Sequence, residues 1–147
     1  MKVFEDFFSE IQTDMISISL EYVDEKAEQV YIYCSYEPAM YYFDVFYKIN
    51  GKIVQRHELN KVTSNYIYDV SIDRQRSLMK IGVNNLKKVH EKCKEFNKEM
   101  PTEIKLIYDV KTNKLSGSYS YELKYSKDED ILPSDIFEGW YEEEKNR

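Results

Sequence analysis

The chain is 147 residues long, is 42% hydrophobic and 33% charged, and has a net charge of −6 at pH 7. Its 14 tyrosines and 7 phenylalanines supply the large buried surface that disordered chains lack, so these totals exclude disorder and indicate one folded domain over residues 1–147. The acidic balance disfavours a nucleic-acid partner, because phosphate contacts need clustered Lys and Arg.

The compartment is indicated by the apolar stretches and the cysteines. Residues 1–14 include four acidic side chains, so they do not form the apolar segment of a signal peptide. No apolar run approaches the roughly 18 residues of a membrane span, and we expect no membrane partner. Cys34 lies in a predicted strand and Cys93 on the apolar side of a predicted helix, which is typical of buried free thiols in a reducing compartment. We therefore expect a cytoplasmic protein.

The first third of the chain predicts one helix followed by three strands. Apolar residues recur at helical spacing near the start and predict a helix over about residues 2–19 that covers one face of a sheet. Residues 28–54 alternate apolar and polar side chains, with a break at residues 37–39. Asn50-Gly51 is the strongest short signal for a two-residue hairpin turn. A three-strand antiparallel meander follows from this pattern.

The alternation places an aromatic set on one face of the first two strands. Val30, Ile32 and Cys34 point to the opposite face. Tyrosine offers area with a polar handle, so the aromatic face could bind a partner or a ligand. It could equally be covered by another helix or consist of tyrosines that stack across strands. Both alternatives are open at this level. The aromatic face consists of Tyr31, Tyr33, Tyr42 and Phe46.

A long central helix is predicted after a connecting segment. Residues 55–70 contain turn-forming Asn and Ser residues and predict the end of the third strand plus a loop. Helical periodicity then begins at about Ser71, with Ser71 or Asp73 as the cap and Pro101 as the stop. The outer side of this helix mixes Lys and Glu, which is typical of a solvated face.

The last third predicts a second hairpin and a final helix. Residues 104–110 and 115–123 alternate, and the serines of the second strand predict a solvent-exposed face. A helix opens at Pro133 or Ser134. The expected fold class is therefore α+β, with an antiparallel sheet of about five strands, an N-terminal helix, a long central helix and a C-terminal helix.

The sequence offers no pattern for catalysis, metal or cofactor binding. His57 and His90 do not stand at zinc-ligand spacings, and each glycine is isolated, which leaves no phosphate-binding loop. His90 and Cys93 are three residues apart on one helix, but Cys93 falls on its apolar stripe, where a thiolate is disfavoured. Asp44 and the other mid-chain aspartates have ordinary strand or cap positions. We expect no enzymatic activity, no metal and no cofactor.

In this order of elements the sequence resembles the YezG/EsaG-like family of bacterial immunity proteins. The similar segments are SEIQTDMI in the first helix, EQVYIYCSY followed by YYFDVFYKING in the meander, KEFNKEMPTEIKLIYDV after the long helix, GSYSYEL in the last strand, and DILPSDIFEGWYEEE at the final helix. The resemblance implies a protein that binds and neutralises the nuclease domain of a secreted bacterial toxin by direct contact, without chemistry of its own.

The implied partner is basic where it holds phosphate, so carboxylates would raise its encounter rate with this chain. Aromatic residues are the expected apolar anchors, although Trp140 could instead hold the last helix to the core. The alternative function is a small-ligand or protein-binding module that uses the aromatic face. The candidate partner-binding residues are Asp128, Glu129, Asp130, Glu138, Trp140, Tyr141, Glu142, Glu143, Glu144, Tyr31, Tyr33, Tyr42 and Phe46.

Overall fold

Helices cover both faces of one antiparallel sheet in the computed structural model, which describes all residues, 1–147. The five strands have the order β3-β2-β1-β4-β5. The predicted α+β class, with its three helices, is confirmed. The elements are α1 Phe4–Tyr22, β1 Gln29–Glu37, β2 Met40–Ile49, β3 Lys52–Gln55, a 3-10 helix Arg56–Lys61, α2 Ile72–Glu95, β4 Glu103–Asp109, β5 Lys114–Ser120 and α3 Pro133–Lys145.

The larger core lies between the sheet and the helices α1 and α2. The two-residue period of β1 sends Val30, Ile32 and Cys34 to this side, and all three are fully buried. They pack in the same cluster as Met15 of α1 and Val89 of α2. The apolar stripes predicted for the first and central helices therefore face the same surface of the sheet.

Of the two turns of the meander, only the second has the backbone that its residues favour. Asn50 and Gly51 have φ values of 53° and 74°, which is the two-residue turn whose twist matches the flanking strands. In the preceding turn Pro38 is followed by Ala39 at φ 68°, a left-handed conformation that is uncommon for alanine. The register pairs Glu37 with Met40 across this turn.

Several boundaries differ from the sequence expectations. The first helix runs to Tyr22 and not to about residue 19, and the last strand ends at Ser120 and not at residue 123. The central helix ends at Glu95, since Asn97 adopts φ 54° and the amide of Lys98 donates to the carbonyl of Cys93 at 2.8 Å, a left-handed cap that closes the helix. The segment expected to be loop contains the 3-10 helix, and Asn60 holds the chain beyond it through hydrogen bonds to the backbone of Tyr68.

Strand β5 forms one edge of the sheet and is exposed on both faces. The serine face is exposed as predicted, and Leu115 and Tyr119 on the opposite face are also exposed. After Ser120 the chain crosses to the face of the sheet opposite α1 and α2, and α3 packs there. No helix has both the length and the apolarity that a membrane crossing requires.

Candidate functional site

The aromatic face of the sheet is covered by α3. Phe137, Trp140 and Tyr141 of α3 form a second buried cluster with Tyr31, Tyr33 and Phe46. The ring centroid of Phe46 lies 5.0 Å from that of Trp140 and 5.4 Å from that of Tyr141. Edge-to-face contacts at these distances are typical of an interlocked aromatic core.

The hypothesis that these aromatic side chains are exposed anchors is therefore wrong. Tyr33 and Phe46 have no exposed surface, and Tyr31, Trp140 and Tyr141 are at most 5% exposed. Tyr42 is half-buried, and its hydroxyl donates to Asp44. The two alternatives are confirmed: a helix covers this face, and Trp140 holds the last helix to the core. A ligand could reach this face only if α3 detached, so the expected aromatic ligand site is not formed.

A buried carboxylate secures the segment that leads to α3. Glu37, at the end of β1, accepts hydrogen bonds from the backbone amides of Lys124, Tyr125 and Ser126, at 2.7 to 3.3 Å. Burial alone would raise the pKa of Glu37, but the hydrogen bonds from this segment outweigh it and leave the pKa below its usual value. Tyr125 is buried against the sheet, and its hydroxyl lies 3.2 Å from that of Ser35.

The local sequence explains where α3 begins. Pro133 occupies the first turn, where its missing N–H leaves no hydrogen bond unmade. The carboxylate of Asp135 accepts a hydrogen bond from the amide of Leu132 at 2.8 Å, which closes the helix start. The apolar residues of α3 then recur on the side that faces the sheet, and the acidic residues fall on the outside.

Six of the predicted carboxylates are exposed, and together they are here called the acidic surface. Glu142 has no ion pair, and Glu138 accepts a hydrogen bond from Gln55 at 2.7 Å. Glu143 lies 3.8 Å from Arg147, at a contact where both side chains are about two-thirds exposed and so bind weakly. No Lys, Arg or His occurs from residue 128 to residue 144. The acidic surface consists of Asp128, Glu129, Asp130, Glu138, Glu142 and Glu143.

Glu144 does not belong to the acidic surface, contrary to expectation. Its side chain is 10% exposed, and one carboxylate oxygen lies 3.1 Å from Nε of Arg147. It faces the sheet near Tyr31, where burial first and the charge of Glu144 second raise the pKa of the tyrosine. The helical period explains the difference, because Glu144 lies on the same side of α3 as Trp140 and Tyr141.

Two buried polar contacts were not indicated by any sequence pattern. The hydroxyl of Tyr33 donates to Glu103 at 2.9 Å, and burial raises the pKa of this tyrosine well above its usual value. Asp44 pairs with Arg56 at 2.5 Å. Burial raises the pKa of Asp44 even though Arg56 and several hydrogen bonds act to lower it. Both contacts join residues that are apart in the sequence, which local spacing does not reveal.

The histidines and cysteines are placed as structural residues. Nδ1 of His90 lies 2.7 Å from the hydroxyl of Tyr41, and its ring packs on Tyr36 at 4.4 Å between centroids. His57 is half-exposed beside Glu58. Cys34 and Cys93 are free and buried, as predicted. No three His, Cys, Asp or Glu side chains are grouped as a metal ion would need.

No family model matches the chain, and no curated protein matches it either. The resemblance to the immunity-protein family therefore stays a prediction, and with it the partner and the cytoplasmic location. What the structure establishes is an α+β fold in which α3 presents carboxylates outward and aromatic side chains inward.

Proposed function

We propose that this chain is a cytoplasmic immunity protein that binds and neutralises the nuclease domain of a bacterial toxin, without a reaction of its own. The observation that carries the proposal is the acidic surface, whose six exposed carboxylates all come from residues 128–143, a stretch of sequence without Lys, Arg or His. A nuclease holds phosphate with basic side chains, and exposed carboxylates attract such a site and speed encounter. The resemblance of the sequence to known immunity proteins supports the same function.

Stabilisation of α3 explains only some of the carboxylates of the acidic surface. Asp128, Glu129 and Asp130 precede the N-terminus of α3, where a carboxylate stabilises a helix by about 0.3–1 kcal/mol. Glu142 and Glu143 lie in the second half of the helix, beyond the reach of that effect. Their charge is therefore available for a partner, and these residues separate the proposed function from a purely structural explanation.

A stable complex also needs apolar contact. Interfaces of this kind bury roughly 1,200–2,000 Å² in total, which carboxylates alone do not supply. Trp140 and Tyr141 are buried and so cannot provide this apolar contact. Leu132 lies between the acidic residues in the sequence and is 56% exposed. Tyr121 and Leu123, just before this segment, are 50% and 44% exposed. We assign the anchor to these three residues in place of the aromatic face.

The test needs a bacterial nuclease-toxin domain, which is to be sought first among the products of the genes that neighbour the one for this chain. The purified chain should abolish cleavage of nucleic acid by that domain at equimolar concentration. Replacement of Glu138, Glu142 and Glu143 by Lys should slow association by about tenfold or more at low salt and reduce its salt dependence. The matched control replaces the exposed residues Asp14, Glu21 and Glu25 by Lys, an equal change of charge on the opposite side of the sheet.

The possible results test the proposed function and the proposed interface separately. If the chain does not inhibit the nuclease domain, the proposed function is wrong. If it inhibits and both triple variants associate equally fast, the function stands and the acidic surface is not the interface. Circular dichroism of each variant establishes that the fold is unchanged before the rates are compared.

A further inference from the structure

The largest cavity of the molecule lies at the opposite end of α3 from Leu132. It is a groove of about 570 Å³ between the β2–β3 hairpin, the 3-10 helix and the last turn of α3. This volume lies within the range of small-molecule sites, about 300–1,000 Å³. Ile53, Val62 and Tyr141 form part of its wall and provide apolar surface.

The charge of the groove is opposite to that of the protein. Five of the 21 basic residues line it, whereas only two of the 27 acidic residues do so. A random sample of this acidic chain would favour carboxylates, so the excess of cations indicates a site for an anion. The basic residues are Lys48, Lys52, Lys61, Lys145 and Arg147, and the acidic residues are Glu58 and Glu144.

Three of these cations make no direct ion pair within the protein. Lys61 pairs with Glu58 at 2.9 Å, and Arg147 pairs with Glu144 at 3.1 Å. No carboxylate oxygen lies within 4.0 Å of the ammonium nitrogen of the remaining lysines. Like charges that converge in a groove repel one another, and a bound anion removes that repulsion. The unpaired lysines are Lys48, Lys52 and Lys145.

Among the basic residues of the groove, Lys48 and Lys52 of the β2–β3 hairpin give the strongest support for an anion site. Lys145 and Arg147 stand at the C-terminus of α3, where cations also stabilise the helix dipole. Lys48 of β2 and Lys52 of β3 flank the Asn50-Gly51 turn and have no helix end to stabilise. The β-turn brings them to the same groove as the end of α3 from a distant part of the sequence.

We infer that this groove binds a small organic molecule that carries a phosphate or diphosphate group. The three unpaired ammonium groups match the charge of a diphosphate, and the apolar wall suits the organic part of the ligand. A lysine ammonium is a common phosphate ligand that acts as a point charge. None of the six carboxylates of the acidic surface lines the groove, so this inference does not depend on the proposed toxin interface.

The test measures binding of ADP and inorganic pyrophosphate to the full chain by titration calorimetry. Both probes should bind saturably, and citrate, a carboxylate of similar charge, should bind at least about tenfold more weakly. The double variant Lys48→Glu with Lys52→Glu should weaken ADP binding by at least about tenfold. Lys145→Glu, on a separate element, should weaken it as well, which guards against a local misfolding of the hairpin.

The matched control is Lys80→Glu with Lys88→Glu, an equal charge change at exposed, unpaired positions of α2. It should bind ADP as the unmodified chain does. Three results would each overturn the inference: no saturable binding of either probe, an equal loss in the control, or citrate binding as tight as that of pyrophosphate. Neutralisation of the nuclease domain should be unchanged in the Lys48 and Lys52 double variant, so the two proposals fail separately.

Discussion

The ring of Phe43 occupies the space that a side chain on Gly82 would need. A Cβ atom placed on Gly82 would lie 2.1 Å from Cδ1 of Phe43, and two further ring atoms would be within 2.4 Å. This contact joins β2 to the middle of α2 and allows the long helix to lie close to the sheet. Gly82 falls in the apolar stripe of α2, where the sequence alone offers no reason for a glycine.

We expect Gly82→Ala to lower the free energy of unfolding. Alanine adds about 1 kcal/mol of helix propensity, but displacement of a packed ring costs typically 1–3 kcal/mol, and here the clash involves three ring atoms. Gly139→Ala in α3 is the matched control, since a Cβ there meets nothing within 4 Å, and it should stabilise by up to about 1 kcal/mol. Urea denaturation measures both variants. Equal stabilisation by the two would contradict the packing of Phe43.

The carboxylate of Glu37 should make stability depend on pH. Its pKa is lowered in the folded state, so its contribution is complete above the unfolded pKa and is lost as the pH falls through the folded pKa. Glu37→Gln replaces an acceptor of three amide hydrogen bonds by a group with one acceptor oxygen, and should destabilise by about 1.5–3 kcal/mol at neutral pH.

The measurement compares the unfolding free energies of the two proteins at neutral pH and at acidic pH. The difference between them should shrink as the pH falls below the usual Glu pKa, because the native side chain then becomes protonated as well. A difference that stays constant with pH would show that the charge of Glu37 is not what holds residues 124–126.

Trp140 is the only tryptophan of the chain, so its fluorescence reports the docking of α3. Phe137 is 1% exposed and packs on Tyr33 and Phe46. We expect Phe137→Ala to destabilise by about 3–5 kcal/mol and to shift the Trp140 emission to longer wavelength, since water gains access to the indole. Glu142→Ala, on the outer side of the same helix, should change neither. Emission that stays at short wavelength in Phe137→Ala would argue against a single aromatic cluster.

The two thiols should react slowly in the native protein. Burial raises the pKa of both Cys34 and Cys93, so little thiolate is present at neutral pH. A thiol reagent should modify them only at the rate at which the protein opens, and a reductant should leave the unfolding free energy unchanged. Fast modification without denaturant would contradict this burial, and mass spectrometry identifies which cysteine has reacted.

The elements of this fold follow from short-range information. The period of two in β1 and β2, the left-handed turn at Asn50-Gly51 and the helix start at Pro133 each depend on residues within a few positions of one another. The steric limits of the backbone also act between residues that are close in the sequence. For this reason the sequence alone predicted the strands, the three helices and the two sides of the sheet.

What covers each side was decided only by tertiary contacts. A face of Tyr31, Tyr33 and Phe46 has the same pattern whether water, a partner or α3 lies against it, and here α3 buries it. In the same way Glu144 turns toward the sheet while Glu143 stays exposed. Lys48 and Lys145 line one groove although almost a hundred residues separate them. Burial and charge act between atoms that are close in space, and the spacing of residues along the chain does not encode that proximity.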